Sequence, residues 1–265
     1  MTSSPELPAG SPPDLESPRQ KAGLAREALL LWAAAFGGLV AAKLIGFVIP
    51  FVGRQLKAVA AGLFLYLPGL GMRRRDETVD DFGVPDWPWR SASAAASFRR
   101  DLKWGFGVSA LLLLPVVGGF LLTLELIPSL PDGLRALIMP YSSSGQFQLR
   151  LPDRMWLHVL DQVLVVALPE EFFYRGYLQT RLKQAWGSGR LLLLGVPVGA
   201  AFWVTQGLFA VGHLGEFYPW RLAVFFPSIL FGWLRERTGS IGPGIIVHAF
   251  SNLLLLTLET SAFGP

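Results

Sequence analysis

Seven apolar stretches dominate the chain, at 28–51, 58–72, 104–127, 155–174, 191–212, 220–235 and 241–258. A helix needs about 20 apolar residues to cross a bilayer, so the pattern predicts an all-α polytopic membrane bundle of about seven spans, with a range of 6–8. The second and sixth stretches are short, and they tilt, extend into polar flanks or enter only part way. No repeat of fixed period runs through the chain. Residues 1–25, rich in Pro, Ser and Gly and nearly free of aromatics, bury too little surface to fold and are expected to be a disordered tail. They do not read as a secretory signal, since no apolar run follows the first methionine. Residues 26–265 then form one membrane-embedded domain. The polar stretch 73–103 is expected to be a loop with an interfacial piece around Trp87 and Trp89.

Composition agrees with the pattern. The chain is 52% hydrophobic and only 16% charged, where a soluble domain carries about 25% charged residues. Cysteine is absent, which excludes disulfides, thiolate metal sites and cysteine nucleophiles. The net charge of +4 would suit nucleic acid, but the basic residues lie between apolar stretches, where membrane topology accounts for them. The expected partner is therefore the lipid bilayer, and nucleic acid is not expected. With the N-terminus inside, sixteen Lys and Arg fall on the cytoplasmic side and six on the other, with Lys43 inside the first stretch. This predicts a multi-pass cell-membrane protein, N-terminus cytoplasmic and C-terminus outside.

Against this background the ionisable residues inside apolar runs carry the chemistry. "LPEEFFYRGYL" (168–178) holds Glu170, Glu171 and Arg175; "LFAVGHL" (208–214) holds His213 four after Phe209; "VHAFSN" (247–252) holds His248 and Asn252. Glu171 and Arg175, four apart, share a helix face and can pair. Glu170 is turned about 100° away and lacks a local counter-ion. Pro169 is expected to kink or restart the helix; a restart would put both carboxylates in a first turn, under the helix dipole. His158 reads as a hydrogen-bonded packing residue with Asp161 as its partner.

The three motifs, Glu-Glu-x-x-x-Arg, Phe-x-x-x-His and His-x-x-x-Asn, in this order within successive apolar segments, resemble those of the CAAX protease and bacteriocin-processing enzyme (CPBP) family. Its members are intramembrane endopeptidases similar to the type II CAAX prenyl protease. The resemblance covers about 155–258. It implies that Glu170 and His213 activate water, that His248 and Asn252 stabilise the oxyanion, and that Glu171 and Arg175 support the site. It implies a protein or peptide substrate cut near its membrane-anchored end, and one branch, the myxosortases, removes C-terminal anchors of exported proteins. Peptide hydrolysis needs such a base and such donors.

Metal-independent chemistry with no cofactor is the favoured reading, because Asn252 suits an oxyanion donor better than a ligand. Glu170, His213 and His248 would be the ligands were the site a zinc one. Straight helices place His248 about 11 Å and Asn252 about 17 Å from Ile241, but His213 about 33 Å from Leu191, so they converge only if the fifth helix tilts. An outward-opening chamber fits these depths best. Two other classes stay open: a non-catalytic immunity or scaffold protein, which an eroded motif would mark, and a transporter, which internal repeats would mark.

Overall fold

The structure is a computed structural model that describes residues 17–138 and 147–264. Among these residues the fold is a helix bundle with one two-stranded antiparallel hairpin, Leu191–Leu193 with Val196–Val198. Three helices are long and apolar enough to cross a membrane: Pro18–Val48, Ala92–Leu126 and Gly242–Phe263. The first starts earlier than the composition led one to expect. Ser17 and Gln20 form a reciprocal capping box and Pro18 opens the first turn, so 18–25 is helix and not tail. The rest of that expected tail, 1–16, lies outside the described residues.

The bundle buries a polar cluster within an apolar core and carries large apolar side chains on its outer surface. Glu171, Arg175, Gln206 and Ser228 are wholly buried, whereas Leu111, Leu114 and Phe226 are each more than 70% exposed. An apolar outer surface suits contact with lipid, which has no water to hydrogen-bond polar groups. At the centre runs one long helical rod, 155–186, which carries Glu170, Glu171 and Arg175. The Gly242–Phe263 helix packs along Ala92–Leu126 and against the rod, while Pro18–Val48 folds back through 49–55 onto Leu56–Arg73.

The rod corrects the expectation at Pro169. The helix neither breaks nor restarts there; it continues through two widened π-helical stretches, Asp161–Ala167 and Phe172–Leu178, on either side of Leu168–Glu171. Proline has no N–H to donate and its ring crowds the carbonyl four residues back. A wider turn accommodates the ring without ending the helix. The Leu168 N–H reaches the Val163 carbonyl, five residues back, and Gln179 does the same to Tyr174. Glu170 and Glu171 therefore sit inside a continuous helix, and not in a first turn of their own.

A second correction concerns the fifth apolar stretch. Residues 191–198 form the hairpin, and the helix starts only at Ala200, after Gly199, ending at His213. The distance along its axis from Ala200 to His213 is about 20 Å rather than 33 Å. This removes the mismatch in depth: His213 and Asn252 now lie at comparable distances from the starts of their helices. A third correction concerns Asp161, which pairs with Lys57 at 2.8 Å and not with His158.

At the N-terminal end of the bundle, Glu27 accepts from Arg75 at 2.8 Å and from Tyr177 at 2.7 Å, tying the first helix to Leu56–Arg73 and to the rod. Arg181 pairs with Glu77 at the same end. The end of the first helix, residue 55 and His213 lie at the opposite end.

The topology can be read by thiol labelling, since the chain has no native cysteine. Ser261 is buried against the Arg150 backbone and makes a poor reporter, but Gln55 and Ser93 are exposed. A membrane-impermeant maleimide on intact cells, with any outer membrane permeabilised, is expected to label Gln55→Cys and spare Ser93→Cys. The opposite pattern would invert every span.

Candidate active site

The rod aims its two adjacent carboxylates at different surroundings. Glu171 is fully buried, and its Oε1 receives the Arg175 guanidinium at 2.9 Å and His248 Nδ1 at 3.0 Å. Its Oε2 lies against Gly244, where an added Cβ would come within 2.8 Å of that oxygen. The glycine at this position therefore lets the Gly242–Phe263 helix approach the rod closely enough for His248 to reach Glu171. Arg175 is fully buried as well. Beyond Glu171 it donates to Ser228 Oγ at 2.8 Å and to Gln206 Oε1 at 3.2 Å, and it lies 4.2 Å from the Phe209 ring centroid and 5.2 Å from that of Phe231. One cation thus joins three helical segments.

Glu170 instead borders a cavity of about 640 Å³ that His213, His248, Asn252 and Gln162 also line. Its Oε2 has no hydrogen-bond partner and lies 3.9 Å from His213 Nε2 and 3.9 Å from His248 Nε2. Its side chain is 15% exposed and that of His213 is 14% exposed. Both therefore reach the cavity, which Glu171 and Arg175, at 0%, do not.

The far side of each imidazole fixes what its near side offers. His213 Nδ1 lies 2.9 Å from the Phe209 carbonyl, which can only accept, so Nδ1 carries the hydrogen. His248 Nδ1 faces the Glu171 carboxylate in the same way. In the neutral imidazoles both Nε2 atoms then present lone pairs to Glu170 Oε2. Three acceptors converge across gaps too long for direct bonds and of the length that one intervening water spans. The His248 ring is held in place by stacking on Phe231, with centroids 4.9 Å apart and planes 14° apart.

The same three atoms test the zinc alternative. Two imidazoles and a carboxylate are a known ligand set for open zinc sites, with bonds of about 2.0–2.1 Å that put tetrahedral neighbours about 3.3–3.4 Å apart. The two separations here are 3.9 Å. Among the described residues no three His, Asp or Glu side chains gather closely enough to hold an ion. The residues do not form a preformed metal site.

All six expected site residues therefore meet around one cavity or directly behind it, with Asn252 four residues beyond His248 and donating to Gln162 Oε1 at 2.8 Å. Sequence reasoning missed Gln162, Gln206, Ser228, Phe231 and Gly244. Gln206 had a signal, as the one amide in the apolar run "FWVTQGLFAVGH". Ser228 and Phe231 had none, because serine and phenylalanine are ordinary in membrane helices.

Comparison with known families gives an independent reading of this stretch. Residues 152–254 match the model of the family described as type II CAAX prenyl endopeptidase Rce1-like. No curated protein and no solved structure matches the chain. The stretch that holds every site residue is thus the part of the chain that resembles an Rce1-like membrane-protease domain.

The buried pair makes a prediction about stability. Arg175→Met leaves the Glu171 charge without its cation, at an expected cost of about 3–5 kcal/mol. Thermal unfolding in detergent is expected to show a large drop in Tm, with lower abundance in membranes. Stability equal to wild type would show that the pair does not hold the bundle together.

Proposed function

We propose that this Rce1-like domain hydrolyses a peptide bond near the membrane-anchored end of a protein or peptide substrate, with Glu170 as the base that activates water. The observation that carries the reading is the convergence of Glu170 Oε2 with both imidazole Nε2 atoms at 3.9 Å on the wall of a cavity. A water held there donates its hydrogens to Glu170 and His213, leaving a lone pair free to attack the substrate carbonyl carbon. The new C–O bond forms as one water proton passes to Glu170, and the carbonyl oxygen becomes an oxyanion.

Asn252 offers an amide N–H to that oxyanion. His248 offers its Nε2–H when the ring is doubly protonated, with Glu171 holding Nδ1–H behind it. The proton on Glu170 then moves to the leaving nitrogen, the C–N bond breaks, and the new carboxylic acid passes its remaining proton to the amine, so that a carboxylate and an ammonium depart. Glu171 and Arg175 do not touch substrate in this scheme; they hold His248 and the rod in register.

The cavity is also lined by Lys43, Lys57, Glu216 and Glu259, which lie at the ends of their helices away from the N-terminus of the chain. With the N-terminus cytoplasmic, these positions support a mouth on the outer side, and substrates that are exported or surface-anchored proteins, including those that lose a C-terminal sorting anchor.

Intact-mass analysis of membrane and exported proteins tests the reading. Wild-type cells are expected to contain fragment pairs whose masses sum to a precursor plus one water, and Glu170→Ala cells only the precursor. His213→Ala, His248→Ala and Asn252→Ala are each expected to slow the same cut by about 100-fold or more while the protein stays inserted. Metal chelators are expected to leave the wild-type rate unchanged. Identical fragments in wild-type and Glu170→Ala cells would remove Glu170 from the chemistry.

A further inference from the structure

Asn252 is useful as an oxyanion donor only if its amide nitrogen, and not its oxygen, faces the cavity side. Nothing on its own helix sets that choice. Its neighbours across the cavity wall do. Lys57 Nζ contacts Asp161 Oδ2 at 2.8 Å. A carboxylate can only accept, and the end of Gln162 turned towards it is its amide nitrogen, at 3.5 Å from the same oxygen. This directs the Gln162 carbonyl the other way, where it accepts from Asn252 Nδ2 at 2.8 Å. Gln162, Lys57 and Asn252 all line the cavity that contains Glu170.

We propose that Lys57, Asp161 and Gln162 form a line of fixed polarity that orients the Asn252 amide, with Gln162 as the positioning residue for the oxyanion donor. The inference rests on the reaction assigned above to Glu170. Each link admits one direction only. The ammonium can only donate, the carboxylate can only accept, and Gln162 must then donate on one side and accept on the other. Asn252 is left with Nδ2 towards Gln162. One of its two amide hydrogens is used in that bond, and the second remains for an oxygen in the cavity. An Asn252 amide turned over would set two carbonyl oxygens against each other.

The widened turn Asp161–Ala167 is what brings the line to the cavity. Gln162 is its second residue, eight positions before Glu170. The widening that accommodates Pro169 thereby also sets the angular position of Gln162 relative to Glu170 along the rod. The two halves of the chemistry, base and oxyanion donor, are in this way referred to one helix.

The test uses the purified full chain in lipid nanodiscs and the substrate found by the intact-mass comparison, with kcat and KM measured separately. Gln162→Met keeps length but removes the acceptor, and kcat is expected to fall about 10-fold or more, with KM and Tm near wild type. Gln162→Glu restores an acceptor and is expected to recover kcat to within about threefold of wild type, which a loss of packing alone would not do. Gln162→Lys presents only donors, turns the Asn252 oxygen towards position 162 and is expected to lose activity. Wild-type kcat in Gln162→Met would overturn the inference, as would equal loss in Gln162→Met and Gln162→Glu. If Gln162→Met does not accumulate, Gln162→Glu against Gln162→Lys decides, and equal rates in those two overturn it. The parent reading is judged separately: a Glu170→Ala protein that still cleaves removes the reaction itself, whereas an inactive Glu170→Ala beside a fully active Gln162→Met removes only this positioning role.

Discussion

The Glu171–Arg175 pair is the constraint on which the rest of the architecture depends. Both groups are fully buried, and a lone charge in such surroundings costs several kcal/mol. Arg175 therefore needs every acceptor it has. Glu171 comes from its own rod, Gln206 from the helix that ends in His213, and Ser228 from the helix that follows. Glu171 in turn takes His248 from the last helix. Meeting the hydrogen-bond demand of one ion pair therefore brings together the three segments that carry Glu170, His213 and His248.

The two adjacent glutamates divide the work by direction. A step of one residue along a helix turns a side chain about 100°, so Glu171 faces the packed interior while Glu170 faces the cavity. Glu171 Oε1 is held by Arg175 and His248, whereas Glu170 Oε2 has no partner and borders the cavity. An acid that is to exchange protons must be free to do so, and an acid that is to hold a structure together must not be. Pairing a carboxylate held by a cation through Oε1 with one that borders the cavity gives both properties at neighbouring positions. Pro169 adds to this, because the widened turn before it accommodates its ring and keeps the helix continuous through both residues.

Much of this was legible in the sequence, because burying charge is costly and rare. Glu170, Glu171, Arg175, His213 and His248 stand out for that reason, Asn252 through its four-residue spacing from His248, and the apolar stretches fix the helical membrane class. What escaped notice was what hydropathy does not encode. Residues 191–198 are as apolar as a membrane helix, yet Gly195 and Gly199, either side of Val196–Val198, turn them into a hairpin with Gly195 at positive φ. At Pro169 the expectation of a restart failed because a π-turn solves the same steric problem with fewer lost hydrogen bonds. Gln162 went unseen because an amide next to Asp161 reads as an ordinary helix flank; only its position across from Asn252 gives it a role. The polar partners of Arg175 were hidden likewise, since contacts between segments 31 and 53 positions apart leave no local pattern.

The central claim is that a water held by Glu170 attacks the substrate directly. Single-turnover cleavage in oxygen-18 water, with protein in excess over substrate and a chelator present, tests it most directly. The account predicts one solvent oxygen in the new carboxylate of the product and none in the peptide that contains Glu170. Label appearing in Glu170 would reveal a covalent anhydride, and a reaction that stops on chelation would reveal a required metal; either result would contradict the account.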